Sequence, residues 1–207
     1  MKDKVVIRKY EASDCVEIIK LFYNTVHRVN ARDYSEEQLN VWATGKEDCA
    51  KWDMSFKEHY SYVAVYKEDV VGFGDMDKTG YLDRLYVRWD CQGMGIATAL
   101  CDILESCTDG GKITHASITA MGFFKKRSYR VLKEQQVQRS GIYLTNYVMG
   151  NILPSCKRLF HSNLRFCRYS CGYNVHIEIP FKKTGSFRKG IKTGFLKFYQ
   201  KACFIFP

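Results

Sequence analysis

Three β-prone runs follow one another between residues 62 and 87, and a glycine-bearing turn then opens an apolar helix; no other feature constrains the fold as much. Tyr62-Val63-Ala64-Val65-Tyr66 and Val70-Val71-Gly72-Phe73-Gly74 flank Lys67-Glu68-Asp69, a pattern that predicts a hairpin. A third strand over Tyr81–Val87 extends it into an antiparallel meander. Gln92-Gly93-Met94-Gly95 comes next, and Ile96, Leu100, Ile103 and Leu104 repeat at helical spacing until Thr108-Asp109-Gly110-Gly111 stops the helix.

The flanking segments complete a layered α/β pattern. Val5 and Ile7 mark a short strand at 4–9. Ser13 or Asp14 is placed to cap a helix carrying Val16, Ile19, Phe22, Tyr23 and Val26. Ser35-Glu36-Glu37-Gln38 has capping-box spacing ahead of Leu39 and Trp42. Trp52 and Phe56, four residues apart, pin a loop or short helix to the core. Downstream, 112–118 reads as a strand and 119–127 as a short helix bearing Phe123 and Phe124. Two more strands, 130–137 and 141–149, meet around Ser140-Gly141. The order β-α-α-β-β-β-α-β-α-β-β predicts a mixed, mainly antiparallel central sheet flanked by helices.

Charge divides the chain. Its 32 Lys and Arg against 22 Asp and Glu give a net +10. The two signs balance over 1–151, and the excess lies in 152–207, where Glu178 is the single acid. We therefore expect a domain at 1–151 and a basic, aromatic-rich extension at 152–207. Met1-Lys2-Asp3-Lys4 leads straight into alternation instead of a signal-peptide apolar core, so the cytoplasm is the expected compartment. Nine cysteines at irregular spacing do not form a disulfide framework, and Cys15, Cys49, Cys91, Cys101 and Cys107 read as buried thiols.

The strand–turn–helix junction carries the chemistry. Amide hydrogens at a helix start point outward, and the helix dipole adds positive potential, so the turn is an anion site. Gly93 and Gly95 let the backbone approach a phosphate, Gln92 supplies a polar amide, and Ala97 is small enough to lie beneath the ligand. The same turn also serves as a tight connection with no ligand. It lacks the Lys-Ser/Thr ending of a nucleotide P-loop and the third glycine of a dinucleotide fingerprint.

Gln92, Gly95 and Ala97 fit, in register, the motif of the GNAT superfamily of N-acyltransferases: Gln or Arg, two residues, Gly, one residue, Gly or Ala. The segment 80–87 ahead of the loop, and Ala116-Ser117 with Phe123-Phe124 behind it, resemble a small YafP-like acetyltransferase group within that superfamily. The resemblance spans about residues 4–150. It implies a GNAT-like fold and an N-acetyltransferase that uses acetyl-coenzyme A as co-substrate, without a metal. The donor would lie in a V-shaped cleft between the third meander strand and the strand at 112–118. Amides of Gln92, Gly93, Met94, Gly95, Ile96 and Ala97 would hold its pyrophosphate. A backbone amide near Leu85, Tyr86 or Val87 would polarise the thioester carbonyl, which the amine attacks directly.

Several residues are candidates on the acceptor side. Asp83 lies on the strand that should present the thioester, and serves as proton acceptor, as charge partner of Arg84 or Arg88, or as binding group for a cation. Asp75 and Asp77 would make the acceptor side negative and favour a cationic amine, borne by a small molecule or peptide. His27 and His59 have suitable proton affinity, and Tyr81 and Tyr143 are candidate substrate-contacting phenols. Many relatives place a tyrosine where this chain has Phe124, and use it to protonate the departing thiolate. Phe124 cannot, which leaves Ser117, Tyr129 or water. Ser128 replaces a glycine in the same motif and should strain the turn. The missing acid keeps a second expectation open, a non-catalytic acyl-coenzyme A sensor or protein-interaction module.

Beyond Asn151 the resemblance ends. Pro154 could start a short helix, and residues 173–181 alternate like an edge strand. Cys167, Cys171, His176 and Cys203 lack zinc-site spacing, and the basic, aromatic segment shows no RNA-binding signature or amphipathic membrane helix. We expect an accessory segment that packs on the domain or on a second copy in a homodimer, or a tail built under other constraints, such as an altered reading frame.

Overall fold

A computed structural model describes residues 4–151. The expectations for 152–207, including the helix from Pro154 and the strand at 173–181, lie outside the described residues. Among the described residues seven strands, β1 (Val6–Lys9), β2 (Tyr60–Tyr66), β3 (Asp69–Met76), β4 (Tyr81–Val87), β5 (Lys112–Ser117), β6 (Arg130–Arg139) and β7 (Ile142–Asn151), form one sheet in the order β1-β2-β3-β4-β5-β7-β6. Every neighbouring pair is antiparallel except β4 and β5. The meander and the mixed sheet follow the sequence reading.

Helices cover both faces, because the central strands are apolar on both sides. Leu85 and Val87 of β4 pack with Ile96, Leu100 and Leu104 of α4 (Ile96–Ser106) and with Phe124 of α5 (Met121–Lys126). Tyr86, pointing the other way, packs with Phe22 and Val26 of α1 (Cys15–Val29), Trp42 of α2 (Glu36–Trp42) and Phe56 of α3 (Cys49–Glu58). That alternation is the period-two geometry of a strand buried on both sides. The segment left open around Trp52 is the helix α3. Asp48 caps it by accepting from the amides of Ala50 and Lys51, and both aromatics face the core side.

Local details both follow and correct the sequence reading. The Ser35 hydroxyl accepts from the Gln38 amide while Gln38 Oε1 accepts from Ser35 N–H, a complete capping box. Ser35→Ala should therefore cost about 1 kcal/mol and lower the melting temperature by roughly 2–4 °C, read by thermal denaturation. Asp14, in contrast, does not cap α1 with its side chain. Its carboxylate turns back to accept from Glu11 N–H and from the Arg8 guanidinium at 2.7 Å. Cys15, Cys91 and Cys101 are buried thiols as expected, but Cys49 and Cys107 are half-buried, because both sit at helix ends. Ser128 has φ +67°, the left-handed conformation expected of a residue standing in for glycine.

Two irregularities shape the middle of the sheet. The register between β3 and β4 passes from Asp75↔Arg84 to Met76↔Leu82, so Asp83 is an extra residue with no opposite number on β3. The parallel ladder between β4 and β5 consists of Tyr81↔Ile113 and Leu82↔Thr114 and stops there. β5 continues to Ser117 along β7. The sheet is thus open between the second half of β4 and the end of β5.

Candidate active site

The loop from Gly93 to Ile96 turns on two left-handed glycines into the start of α4. Gly93 and Gly95 take φ values of +76° and +81°, and Gly95 is the N-cap of α4 with no side-chain hydrogen bond to the helix amides. A Cβ placed on either glycine would meet nothing within 4 Å. Glycine is therefore required here by backbone conformation, and open space lies before the uncapped amides. Gln92 and Met94 are exposed, Ile96 is buried as the first anchor of α4, and Ala97 is half-buried against the core. Arg88 rigidifies the approach: it bonds Asp90 at 2.7 Å and Asp69 at 3.1 Å, and its N–H donates to Val71 O. These features fit a pyrophosphate.

Upstream of the loop, Leu85, Tyr86 and Val87 hold the open edge of β4 in place. The Tyr86 ring stacks on Phe73 of β3 at 5.2 Å and meets Phe22 of α1 edge-on at 4.9 Å, so it is held on one face of the sheet by the neighbouring strand and a helix. Phe124 is fully buried in the same cluster as Ile96, Leu100 and Leu104 of α4.

A charged cluster sits at the bulge. Asp75 has no exposed surface, and its carboxylate accepts from Arg84 Nε at 2.7 Å, Arg84 Nη2 at 2.8 Å and His59 Nδ1 at 2.6 Å. Arg84 Nη2 also donates to Ser55 Oγ at 2.6 Å and lies 3.7 Å from Asp83 Oδ2. Its guanidinium carbon is 4.2 Å from the centre of the Phe56 ring and 4.9 Å from that of Trp52, a desolvated cation–π arrangement. Burial pushes the Asp75 carboxyl up, but the Arg84 charge and the bonds from His59 and Arg84 outweigh it and hold the group below its ordinary range. Burial likewise disfavours a charged His59, yet the bond to Asp75 and the charges of Asp75 and Asp83 prevail over Arg84 and raise its pKa above 6.5. Ligand atoms of His59, Asp75 and Asp83 lie within 4.8 Å of one another, but Arg84 already supplies the cation at Asp75.

Other predicted residues take different positions. Asp75 cannot meet a substrate directly, since it is enclosed by Arg84 and His59. Asp77 is turned inward to its own loop, where Oδ1 accepts from Thr79 N, Thr79 Oγ1 and Tyr81 N. His27 Nε2 donates to Ala43 O at 3.0 Å and its ring lies on Tyr23, so it joins α1 to the end of α2. Tyr143 is 55% exposed, and lies on β7 three residues past the last pairing of that strand with β5. Tyr81 packs edge-on against His115. Ser117 is buried at the end of β5 and its Oγ accepts from Ala120 N at 3.0 Å. The Tyr129 hydroxyl donates to Glu105 Oε1 at 2.9 Å near the C-terminal end of α4, and burial followed by the Glu105 charge raises its pKa strongly. That anchor points it to the opposite end of α4 from the glycine loop. Ser55 is the member of this cluster that sequence reasoning passed over, and Arg84, considered there only as a partner of Asp83, proves to be held by Asp75.

The chain is similar to known acetyltransferases. The chain is 28% identical over 147 residues to the uncharacterized N-acetyltransferase YafP of Escherichia coli (strain K12), covering 71% of this chain and 95% of that protein. A GCN5-related N-acetyltransferase from Rhodopseudomonas palustris superposes with a TM-score of 0.69 at 29% identity, over 74% of this chain and 99% of that one. The PaiA N-acetyltransferase of Thermoplasma acidophilum, solved in complex with coenzyme A, shares the fold with a TM-score of 0.58 at 17% identity, over 72% of this chain and 99% of that one. Among the described residues no helix is long and apolar enough to cross a membrane. Residues 30–150 match the acetyltransferase (GNAT) domain, and the chain belongs to that family.

Proposed function

We propose that the protein transfers the acetyl group of acetyl-coenzyme A to a primary amine, by direct attack in a ternary complex. The observation that carries this reading is the parting of β4 from β5 after Leu82, which leads to an uncapped, glycine-led helix start. The helix amides take the pyrophosphate, and the edge of β4 near Leu85 to Val87, beyond the end of its ladder with β5, presents its backbone to the thioester carbonyl. Asp83 stands at the bulge where the strands separate, so the amine meets that carboxylate as it reaches the thioester and passes its proton to it. The thiolate of coenzyme A is a good leaving group, and water or Ser117 returns its proton.

Charge supports a cationic acceptor. With His59 neutral, Asp75, Asp83 and Arg84 leave the cluster with one net negative charge. Lysine-like amines and polyamines should therefore react faster than neutral amines of the same size. The test incubates purified full-length protein with acetyl-coenzyme A and a panel of amines, peptides, polyamines and aminoglycosides, reading free thiol and product mass. Asp83→Asn should lower kcat by on the order of 10²-fold and leave acetyl-coenzyme A binding unchanged. An unchanged rate would remove Asp83 from its role. Binding without any acylated product would favour the alternative supported by the buried Phe124, a non-catalytic acyl-coenzyme A sensor.

A further inference from the structure

We propose that His59, oriented by Asp75, relays the substrate proton from Asp83 to solvent. The inference rests on the acetyltransferase reading and extends it to a residue with no counterpart in the donor-binding motif.

The geometry has three parts. His59 is the C-cap of α3 and immediately precedes β2, so its ring stands over the same end of the sheet as the bulge. Nδ1 faces Asp75 Oδ2 at 2.6 Å, and that carboxylate cannot turn away because Arg84 grips both of its oxygens. A neutral ring held in this way keeps its proton on Nδ1 and its lone pair on Nε2. Finally, the His59 side chain retains 20% of its surface while Asp75 retains none, so His59 is the member of the pair that reaches solvent.

The charges facing His59 are Asp75 from β3 and Asp83 and Arg84 from β4; α3 contributes the Ser55 hydroxyl to the cluster. The step balances as follows. The amine reacts in its uncharged form, its ammonium proton already lost to bulk water: the nitrogen bonds to the acetyl carbon, the carbon–sulfur bond breaks, and the electron pair leaves on the coenzyme A thiolate. The proton lost by the nitrogen goes to a carboxylate oxygen of Asp83. From there it passes, through water, to Nε2 of His59, whose ring brings a nitrogen within 4.8 Å of an Asp83 carboxylate oxygen. The imidazolium, stabilised by Asp75, releases it to bulk water and Asp83 is ionised again for the next turnover. His59 is thus a relay acting through Asp83 and does not itself touch the substrate.

The relay works only with the ring neutral, so activity should rise with pH as His59 deprotonates. The bonds that raise its pKa place that limb above the ordinary histidine value of 6.5. The experiment compares the wild-type protein with His59→Gln and His59→Ala across pH, at saturating acetyl-coenzyme A and one cationic acceptor. Gln keeps an N–H for Asp75, which protects folding. Both variants should bind acetyl-coenzyme A as the parent does, lose about 10²-fold in kcat, and lose the histidine limb. Added imidazole should restore His59→Ala by about tenfold or more, which a structural role would not allow. Turnover by the parent together with an unchanged rate and pH limb in both variants, or a loss that imidazole does not restore, overturns the relay alone. Donor binding by the parent with no acylated product overturns both the relay and the acetyltransferase reading.

Discussion

Gly95→Asp is expected to weaken acetyl-coenzyme A binding about 100-fold, close to 3 kcal/mol, while leaving the domain nearly as stable as the parent. Gly95 caps α4 at φ +81°, and a side chain there enters open space in front of the helix amides. Among non-glycine residues Asp tolerates that conformation comparatively well. Its charge beside the helix start also contributes about 0.3–1 kcal/mol, which offsets much of the backbone cost. The same charge lies where the pyrophosphate must sit. It replaces charge-assisted hydrogen bonds, each worth about 1.5–3 kcal/mol, with repulsion. Calorimetric titration with acetyl-coenzyme A, paired with thermal denaturation, separates the two effects. Parental affinity in a folded Gly95→Asp protein would show that the loop does not hold the donor.

Arg84→Met should act on stability first. It leaves the fully buried Asp75 carboxylate without its guanidinium, so the expected loss is about 3–5 kcal/mol, or on the order of 10 °C in melting temperature. In the parent, Arg84 and His59 hold the Asp75 carboxyl below its ordinary range. The pair's contribution is therefore complete above the unfolded carboxylate value of about 3.9 and is lost as pH falls through the lower folded value. In Arg84→Met, burial dominates and the carboxyl is pushed the other way. Adding Asp75→Asn removes the uncompensated charge while an amide oxygen still accepts from His59, so the double variant should regain a large part of the loss. An Arg84→Met protein that melts within about 2 °C of the parent would show that solvent or a neighbour compensates Asp75. It would also undercut the view that Arg84 fixes the carboxylate behind His59.

The acidic residues around the bulge were harder to read from sequence than the glycine loop, for a reason visible in Asp75 and Asp77. Both are acids at the end of an apolar strand, which suggests a negative surface. One is enclosed by an arginine nine positions further along the chain, and the other closes its own turn. A carboxylate's partners across a sheet depend on register, and register is not a local property. Ser117 and Tyr129 show the same limit: their spacing from the phenylalanine pair is legible, but the amide and the glutamate that engage them come from the folded neighbourhood.

What the sequence determined by itself is the set of features fixed within a few residues: the Tyr81–Val87 strand, the Ser35 capping box, the positive-φ glycines and the helix after them. Backbone propensity, capping and periodicity act over one or two turns, so the glycine-led helix start could be read directly. Tertiary structure alone decided that β4 carries an extra residue at Asp83, that β4 and β5 separate after Leu82, and that His59 and Arg84 converge on Asp75. Bulges and strand separation arise when neighbouring strands must match register and twist while both faces bury their side chains. That competition has no signature within any single strand.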